Sequence, residues 1–265
     1  MLRLEQGSYE MKKLKKLWGA LAALPLLFGA TQVSAVPVDL ELSLVIDVSG
    51  SVSTSEYNLM MDGYANAFRD ATIQNNILST ANGDLGQIAV NVVFFASNFY
   101  TTALDTFTLL DSAAAINTFA DTLDNFARPG GGGTDIFDGV NAATALLTAD
   151  NGFESTNLIM DVSGDGTSTA FFTQAARDAA EAAGITINGI TIGSQGINDF
   201  YIANVITSDG FALHATDFDD FSNGIKTKLV VETSGGDTSV PAPATLLLMG
   251  AGLLGFSATR RRKAS

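Results

Sequence analysis

The sequence has no cysteine, a single histidine and few basic residues, and each scarcity removes a class of explanation. Without cysteine there is no disulfide framework and no thiolate chemistry, so a packed core or a bound metal must hold the fold. No Gly-x-Ser-x-Gly elbow precedes the one histidine, His214, which argues against a serine hydrolase and for a structural role. Of the 14 Lys and Arg residues, five precede residue 17 and four follow residue 259. Between Val36 and Ser239 five bases therefore face 26 acids, a net charge of −21. A field of that sign repels phosphate and excludes nucleic acid and anionic lipid as partners of this segment. What is abundant is apolar: 46% of 265 residues, enough to bury the core of one domain of roughly 200 residues.

The displaced bases belong to the two ends. Residues 11–35, MKKLKKLWGALAALPLLFGATQVSA, have the order of a secretory signal peptide: a basic head, an apolar stretch from Leu17 to Ala30 and the small-residue pattern Val33-Ser34-Ala35. Cleavage is expected before Val36, which makes residues 1–35 the export segment, with Met11 as an alternative start. The apolar stretch is short of the ~20 residues that a membrane span needs. After a linker at residues 234–239, SGGDTS, residues 240–265 run VPAPATLLLMGAGLLGFSATRRRKAS. A proline-bounded entry leads to an apolar run and then to Arg260, Arg261, Arg262 and Lys263. The positive-inside preference holds that cluster in the cytoplasm and leaves the domain outside, with a membrane contact through the C-terminal helix. This tail resembles the PEP-CTERM sorting signal of Gram-negative bacteria, with Val240-Pro241-Ala242-Pro243 in the place of Val-Pro-Glu-Pro and Ala242 as the departure. The resemblance implies processing by an exosortase-type enzyme. It also implies a route from the inner membrane to the envelope, the surface or the medium.

Between the ends, apolar runs alternate with helical patterns. Strands are expected at 40–46, 87–95, 99–109 (folding back beside its predecessor), 157–162, 185–192 and 211–215. Helices are expected at 54–69, 112–126, 135–148, 170–183, 197–205 and 218–231. Runs such as LIMDV and ITINGITI lack polar alternation, which suits strands covered on both faces. Ser53 or Thr54, Asp111 and Asp217 mark helix starts, and Gly184 closes a helix. The expected fold class is α/β. Residues 36–233 would form a doubly wound, Rossmann-like, mostly parallel sheet of about six strands with helices on both faces and one antiparallel edge strand. Ligands of such sheets sit beyond the carboxyl ends of the strands.

One stretch at such an end carries chemistry. In LVIDVSGSVS, residues 44–53, Asp47 leaves the first apolar run and is followed by Ser49 and Ser51 with Gly50 between them. A carboxylate with two hydroxyls is hard oxygen ligation, suited to Mg²⁺, Mn²⁺ or Ca²⁺ and poorly to Zn²⁺. Three oxygens do not complete an octahedron, and two other loops offer more. GGGGTDIFDG, residues 130–139, delivers Thr134 at the head of a helix, and Gly164-Asp165-Gly166 follows the strand NLIMDVS. The first and fourth core strands of a doubly wound sheet are neighbours, so Asp47, Ser49, Ser51, Thr134 and Asp165 are expected to converge. Taken alone, Asp-x-Ser-x-Ser also fits a helix cap. The glycine run is no P-loop, because no Gly-Lys pair follows. A haloacid dehalogenase-type phosphotransferase also places Asp after its first strand, but its second acid would fall at position 49, which is Ser. Asp161, inside an apolar run, is expected to be a hydrogen-bonded strand residue. Asp62, Asp70, Asp217, Asp219 and Asp220 are assigned to solvated faces or caps.

Asp-x-Ser-x-Ser, a distant Thr and a later Asp in a Gly-flanked turn together resemble the metal-ion-dependent adhesion site (MIDAS) of von Willebrand factor type A (vWA) domains, over residues 38–232. The phrases VDLELSLVIDVSGSVS, GGGTDI, DVSGDG and GITINGITIG resemble in particular a DUF1194-like bacterial subfamily of exported proteins. Gly164 departs from the Thr that many members carry there. The resemblance implies that Ser49, Ser51 and Thr134 bind a divalent cation directly, most readily Mg²⁺, while Asp47 and Asp165 act through waters or hydrogen bonds. Neutral direct ligands leave the cation most of its charge and an open position that a partner's carboxylate can fill. Such a site binds and supplies no nucleophile. The expectation is a non-enzymatic, envelope- or surface-associated adhesion module that captures an acidic group on a protein or polymer. The alternative is a structural component of an extracellular matrix or exopolysaccharide bridged by Ca²⁺.

Overall fold

Two-sided burial begins with the first long strand, in which all seven residues from Glu41 to Asp47 are inaccessible to solvent. The structure, a computed structural model, describes residues 34–234. The export segment up to residue 33, the linker beyond Ser234 and the C-terminal membrane contact, all expected from sequence, lie outside the described residues. Among the described residues, no helix is long and apolar enough to cross a membrane.

The chain runs β1 (Val36–Pro37), β2 (Glu41–Asp47), α1 (Thr54–Arg69), α2 (Ala71–Ile77), β3 (Ile88–Phe95), β4 (Phe99–Tyr100), β5 (Thr108–Leu110), α3 (Ala113–Asp124), α4 (Ile136–Thr148), β6 (Phe153–Glu154), β7 (Leu158–Gly164), α5 (Ala170–Ala182), β8 (Ile185–Ile192), α6 (Gln195–Asn204), β9 (Ala212–Ala215) and α7 (Phe218–Glu232). The main sheet has the order β3-β2-β7-β8-β9, all parallel, and β4 and β5 both pair antiparallel with β3 at one edge. β1 and β6 form a separate parallel pair. The α/β, doubly wound, mostly parallel architecture matches the expectation from sequence.

Side-chain alternation along the strands makes two cores. Leu42, Leu44 and Ile46 join α1, α2, α3 and α7 on one face, and Val45 joins α4, α5 and α6 on the other. Each fully buried Val, Leu, Ile or Phe contributes about 1.5–3 kcal/mol relative to exposure, which is how a chain without cysteine is held together. α1 starts from a capping box, with Ser53 Oγ accepting from Glu56 N and Glu56 accepting from Ser53 N. A cap of this kind is worth about 1 kcal/mol, and it fixes the end of the loop that leaves β2. At the opposite pole, Glu232 and Thr233 at the end of α7 share a cavity with Asp39, Leu40, Ile88 and Asn157 from the amino ends of the strands. The chain also enters there, where Val38 N donates to Glu154 O.

Three details differ from expectation. The edge strand expected at 99–109 is two short segments separated by a 3-10 turn, Ala103–Asp105, because Thr102 and Asp105 cap one another reciprocally and interrupt the ladder. α3 begins one residue later than expected, since Ser112 and not Asp111 accepts from the helix, at Ala115 N. α2 is an additional helix that the periodicity does not predict. Asp70 caps it by accepting from Thr72 N, and Ile73 and Ile77 bury its inner face.

Candidate functional site

The register of the sheet brings the candidate loops together. β2 lies between β3 and β7, with Ile46 opposite Ser163, so Asp47 comes next to Gly164 as both strands end. A methyl placed on Gly164 would stand 2.8 Å from Asp47 Oδ2 and 2.7 Å from the Tyr201 hydroxyl. That position has no room for a Thr side chain unless its neighbours shift. Asp47 Oδ1 accepts from Ser49 N at 2.7 Å, Ser49 Oγ lies 3.1 Å from Ser51 Oγ, and Ser51 Oγ donates to Asp165 Oδ1 at 2.6 Å. Thr134 packs against Gly166, where an added methyl would meet its side chain at 3.1–3.2 Å. All five residues singled out from sequence thus stand at one pole of the sheet, in three touching loops.

The glycine run owes its composition to close approach. Gly50 N donates to Gly132 O at 2.8 Å, which places the run directly on the Asp-x-Ser-x-Ser loop. Gly132 adopts φ +140°, and a side chain there would meet Ser97 Oγ at 2.6 Å; one on Gly130 would enter the ring of Tyr100. Tyr100 in turn donates its hydroxyl to Gly131 O, and Gly133 N donates to Ser97 Oγ. Arg128, just before the run, donates from one guanidinium nitrogen to the carbonyls of both Val48 and Ser49 at 2.7 Å.

The electrostatics are those of a site short of positive charge. Asp47 is buried, its Oδ2 has no hydrogen-bond partner, and burial pushes its carboxyl up to about 7 despite the bonds from Ser49. Asp165 is half-buried and shifted up by desolvation as well. None of the domain's five bases pairs with Asp47 or Asp165. Arg69 pairs with Asp121 and Asp124, Arg177 with Asp178, Lys226 with Asp70, and Lys228 with Asp161 and Glu232, while Arg128 holds main-chain carbonyls. Among the described residues, no three Asp, Glu, His or Cys side chains form a metal cluster. The donor set here is instead two carboxylates and three hydroxyls. It fits a hard divalent cation, and the buried Asp47 Oδ2 accepts no hydrogen bond and has no ion-pair partner.

Asp161 proves to be more than a hydrogen-bonded strand residue. On the α7 side of β7, fully buried, it lies 2.7 Å from Lys228 Nζ, which also pairs with buried Glu232; Asn188 Nδ2 donates to that same Glu232 at 2.8 Å. Burial drives the Glu232 carboxyl up to about 7 and raises Asp161 against the pull of Lys228. His214, exposed on β9, lies 3.2 Å from Thr191 Oγ1.

The family described as Protein of unknown function (DUF1194) matches residues 37–237. The chain belongs to this family. The PEP-CTERM protein-sorting motif matches residues 239–263 of the same DUF1194 protein. No curated protein matches it. Among solved structures it is similar to proximal thread matrix protein 1 from the mussel byssus with a zinc-occupied MIDAS motif, at 17% identity, covering 76% of this chain and 49% of that one with a TM-score of 0.53. It is also similar to the pilus adhesin SpaC from Lactobacillus rhamnosus GG, at 15% identity, 76% and 31% coverage and a TM-score of 0.51. A von Willebrand factor type A structure from Catenulispora acidiphila gives 13% identity, 74% and 43% coverage and a TM-score of 0.51. The DUF1194 chain spans less than half the length of each, and the likeness is one of fold: a vWA-like domain.

Four residues of the DUF1194 site were not singled out from sequence. Arg128 had a signal, as one of five bases in an acidic domain, placed directly before the glycine run. Ser97, Tyr100 and Tyr201 had none, since each reaches the site through tertiary packing.

Proposed function

We propose that this protein is an exported, non-enzymatic binding module that takes a divalent cation, Mg²⁺ first, and uses it to capture an acidic group on a protein or polymer partner. Ser49, Ser51 and Thr134 would hold the cation directly, with Asp47 and Asp165 behind them. Bound there, the cation supplies an electrophilic position for a carboxylate. The chain's own residues orient it: Arg128 clamps the loop backbone, and Gly164 lets Asp47 and Tyr201 close from behind. The observation that carries the proposal is that buried Asp47 and half-buried Asp165 are set among hydroxyls, with no basic side chain in an ion pair with either. The zinc-occupied MIDAS of the mussel protein supports it. The sorting motif supports delivery to the envelope or surface through exosortase-type processing. The charge of −21 favours, as a second possibility, a matrix component bridged by Ca²⁺.

The test is capture from a native envelope extract on the immobilised protein, with Mg²⁺ or with chelator, against the variant Asp47→Ala with Ser49→Ala. That variant removes the site and alters the net charge by one unit. Retention should require both Mg²⁺ and the intact site. Equal retention by wild type and variant would mean that the cation acts by general screening, and the adhesion-site proposal would be abandoned.

A further inference from the structure

The loops of the candidate cation site are flanked by bare aromatic surface. α5 opens five residues after Asp165, and its first turn presents Phe171 and Phe172, 75% and 52% exposed. Their rings meet edge-on with centroids 5.4 Å apart, and Phe172 leans at the same distance on Phe137. Phe137 lies in the first turn of α4, three residues after Thr134, and is partly buried against the core. A three-ring ridge therefore joins the first turns of the two helices that leave the Thr134 and Asp165 loops. Two adjacent exposed phenylalanines add little to folding, and a contiguous apolar patch beside a polar site marks a contact surface.

We propose that this ridge seats a large apolar side chain of a polypeptide partner, adjacent to the acidic residue that the partner presents to the cation. The ligand is then an acidic–apolar residue pair set among basic residues. This rests on the cation site proposed above. Three observations select that occupant. The ring planes meet at 72° and 50°, so the three rings form a faceted apolar surface and not one extended flat platform. Each of the domain's five bases already has a partner within the chain, and Arg128, the one beside the site, is held by main-chain carbonyls, so the cation is the positive group placed to meet a partner's carboxylate there. Asp135 and Asp138 flank Phe137 in sequence within a domain of net charge −21. That charge calls for bases around the partner's acid, and it disfavours both a second copy of this chain and an anionic membrane.

The experiment pans a phage-displayed heptapeptide library on the purified protein in Mg²⁺ and releases bound phage with EDTA. Wild type, Phe171→Ser, Phe171→Ser with Phe172→Ser, and Asp47→Ala with Ser49→Ala are compared. Wild type should enrich Asp or Glu next to Leu, Ile, Phe or Trp, with Lys or Arg nearby. A selected peptide, resynthesised, should bind Phe171→Ser about tenfold more weakly, as expected for losing most of one buried apolar side chain. Its requirement for Mg²⁺ and for the acid should persist. Because Phe171 is exposed, this variant keeps the fold, which thermal unfolding verifies. EDTA-released acidic peptides that bind both Phe variants as tightly as wild type would overturn the ridge and leave the cation site standing. Absence of EDTA-released peptides, or their retention by the Asp47/Ser49 variant, would overturn the cation site and the ridge with it. Alginate that binds in a Phe171-dependent way where peptides do not would overturn the polypeptide partner.

Discussion

Strand β7 and the turn that follows it carry two acids that illustrate opposite solutions to the same problem. Asp161, in mid-strand, shares its side of the sheet with a second acid, Glu232, and the fold supplies Lys228 between them, all three sealed from solvent. Asp165, just beyond the strand's end, shares its pole with a second acid, Asp47, and the fold supplies hydroxyls, glycines and one arginine, Arg128, which bonds main-chain carbonyls and pairs with neither acid. The first pair has its counter-charge within the chain, although Asp161 Oδ2 and Glu232 Oε2 accept no hydrogen bond. The second leaves a buried carboxylate oxygen unanswered. Where a chain provides a counter-charge the cluster is structural, and where it withholds one the charge has to come from outside.

Four experiments put that contrast under strain. Lys228→Met should be the most damaging, because it strands two buried acids; a loss of about 3–5 kcal/mol is expected in denaturant unfolding. A small loss would mean that Asp161 and Glu232 are both protonated and that the cluster needs no cation. Next, Mg²⁺ at a hundredfold excess over its Kd should stabilise the wild type by about 2.7 kcal/mol, since it binds only the folded state. Asp47→Ala with Ser49→Ala should lose that gain in thermal unfolding, while Lys228→Met should keep it. A shift that survives the Asp47/Ser49 change would assign the effect to diffuse attraction by the acidic surface. A smaller effect is expected from pH. The carboxyl of Glu232 is raised in the folded state from 4.5 to about 7, so the folded form holds the proton more tightly. The stability it contributes is present below pH 4.5 and is lost as pH rises to about 7. The difference between wild type and Glu232→Gln should therefore slope across that window and be flat above it. The smallest effect is expected from Asp165→Asn, which retains an acceptor for Ser51 at a half-exposed position. It should change stability in the absence of metal by less than about 1 kcal/mol. A larger loss would make Asp165 a structural residue like Asp161.

The parts of the molecule that were legible in the sequence are those with an unmixed physical cause. β2, β3, β7 and β8 read as continuous apolar runs because both faces are covered, and their order placed Asp47 beside the Gly164-Asp165 turn. The five oxygen-bearing site residues are brought together by that order, though their role as cation ligands is a proposal. The edge was harder. Phe99 to Leu110 has strand composition, but the mutual cap of Thr102 and Asp105 overrides it, and in α2 the stretch ATIQNNI hides two core isoleucines among polar neighbours. The buried cluster had a signal of the wrong kind. Phe221, Ile225, Leu229 and Glu232 follow helical spacing along the inner stripe of α7, and Lys228 falls in the same stripe, where charge ordinarily argues for solvent. Only the position of Asp161 across the interface shows why a lysine belongs there.

Both ends of the described chain leave the sheet at the amino pole, while Asp47, Ser51, Thr134 and Asp165 occupy the carboxyl pole. A domain tethered through the chain beyond Ser234 and gripped at the Asp47 pole is pulled along the strand direction. β2, which carries the gripped loop, lies between two parallel neighbours from Glu41 to Ile46. A tensile load then acts in shear on the hydrogen-bond ladders of both sides together, so that they resist collectively and are not peeled open one bond at a time.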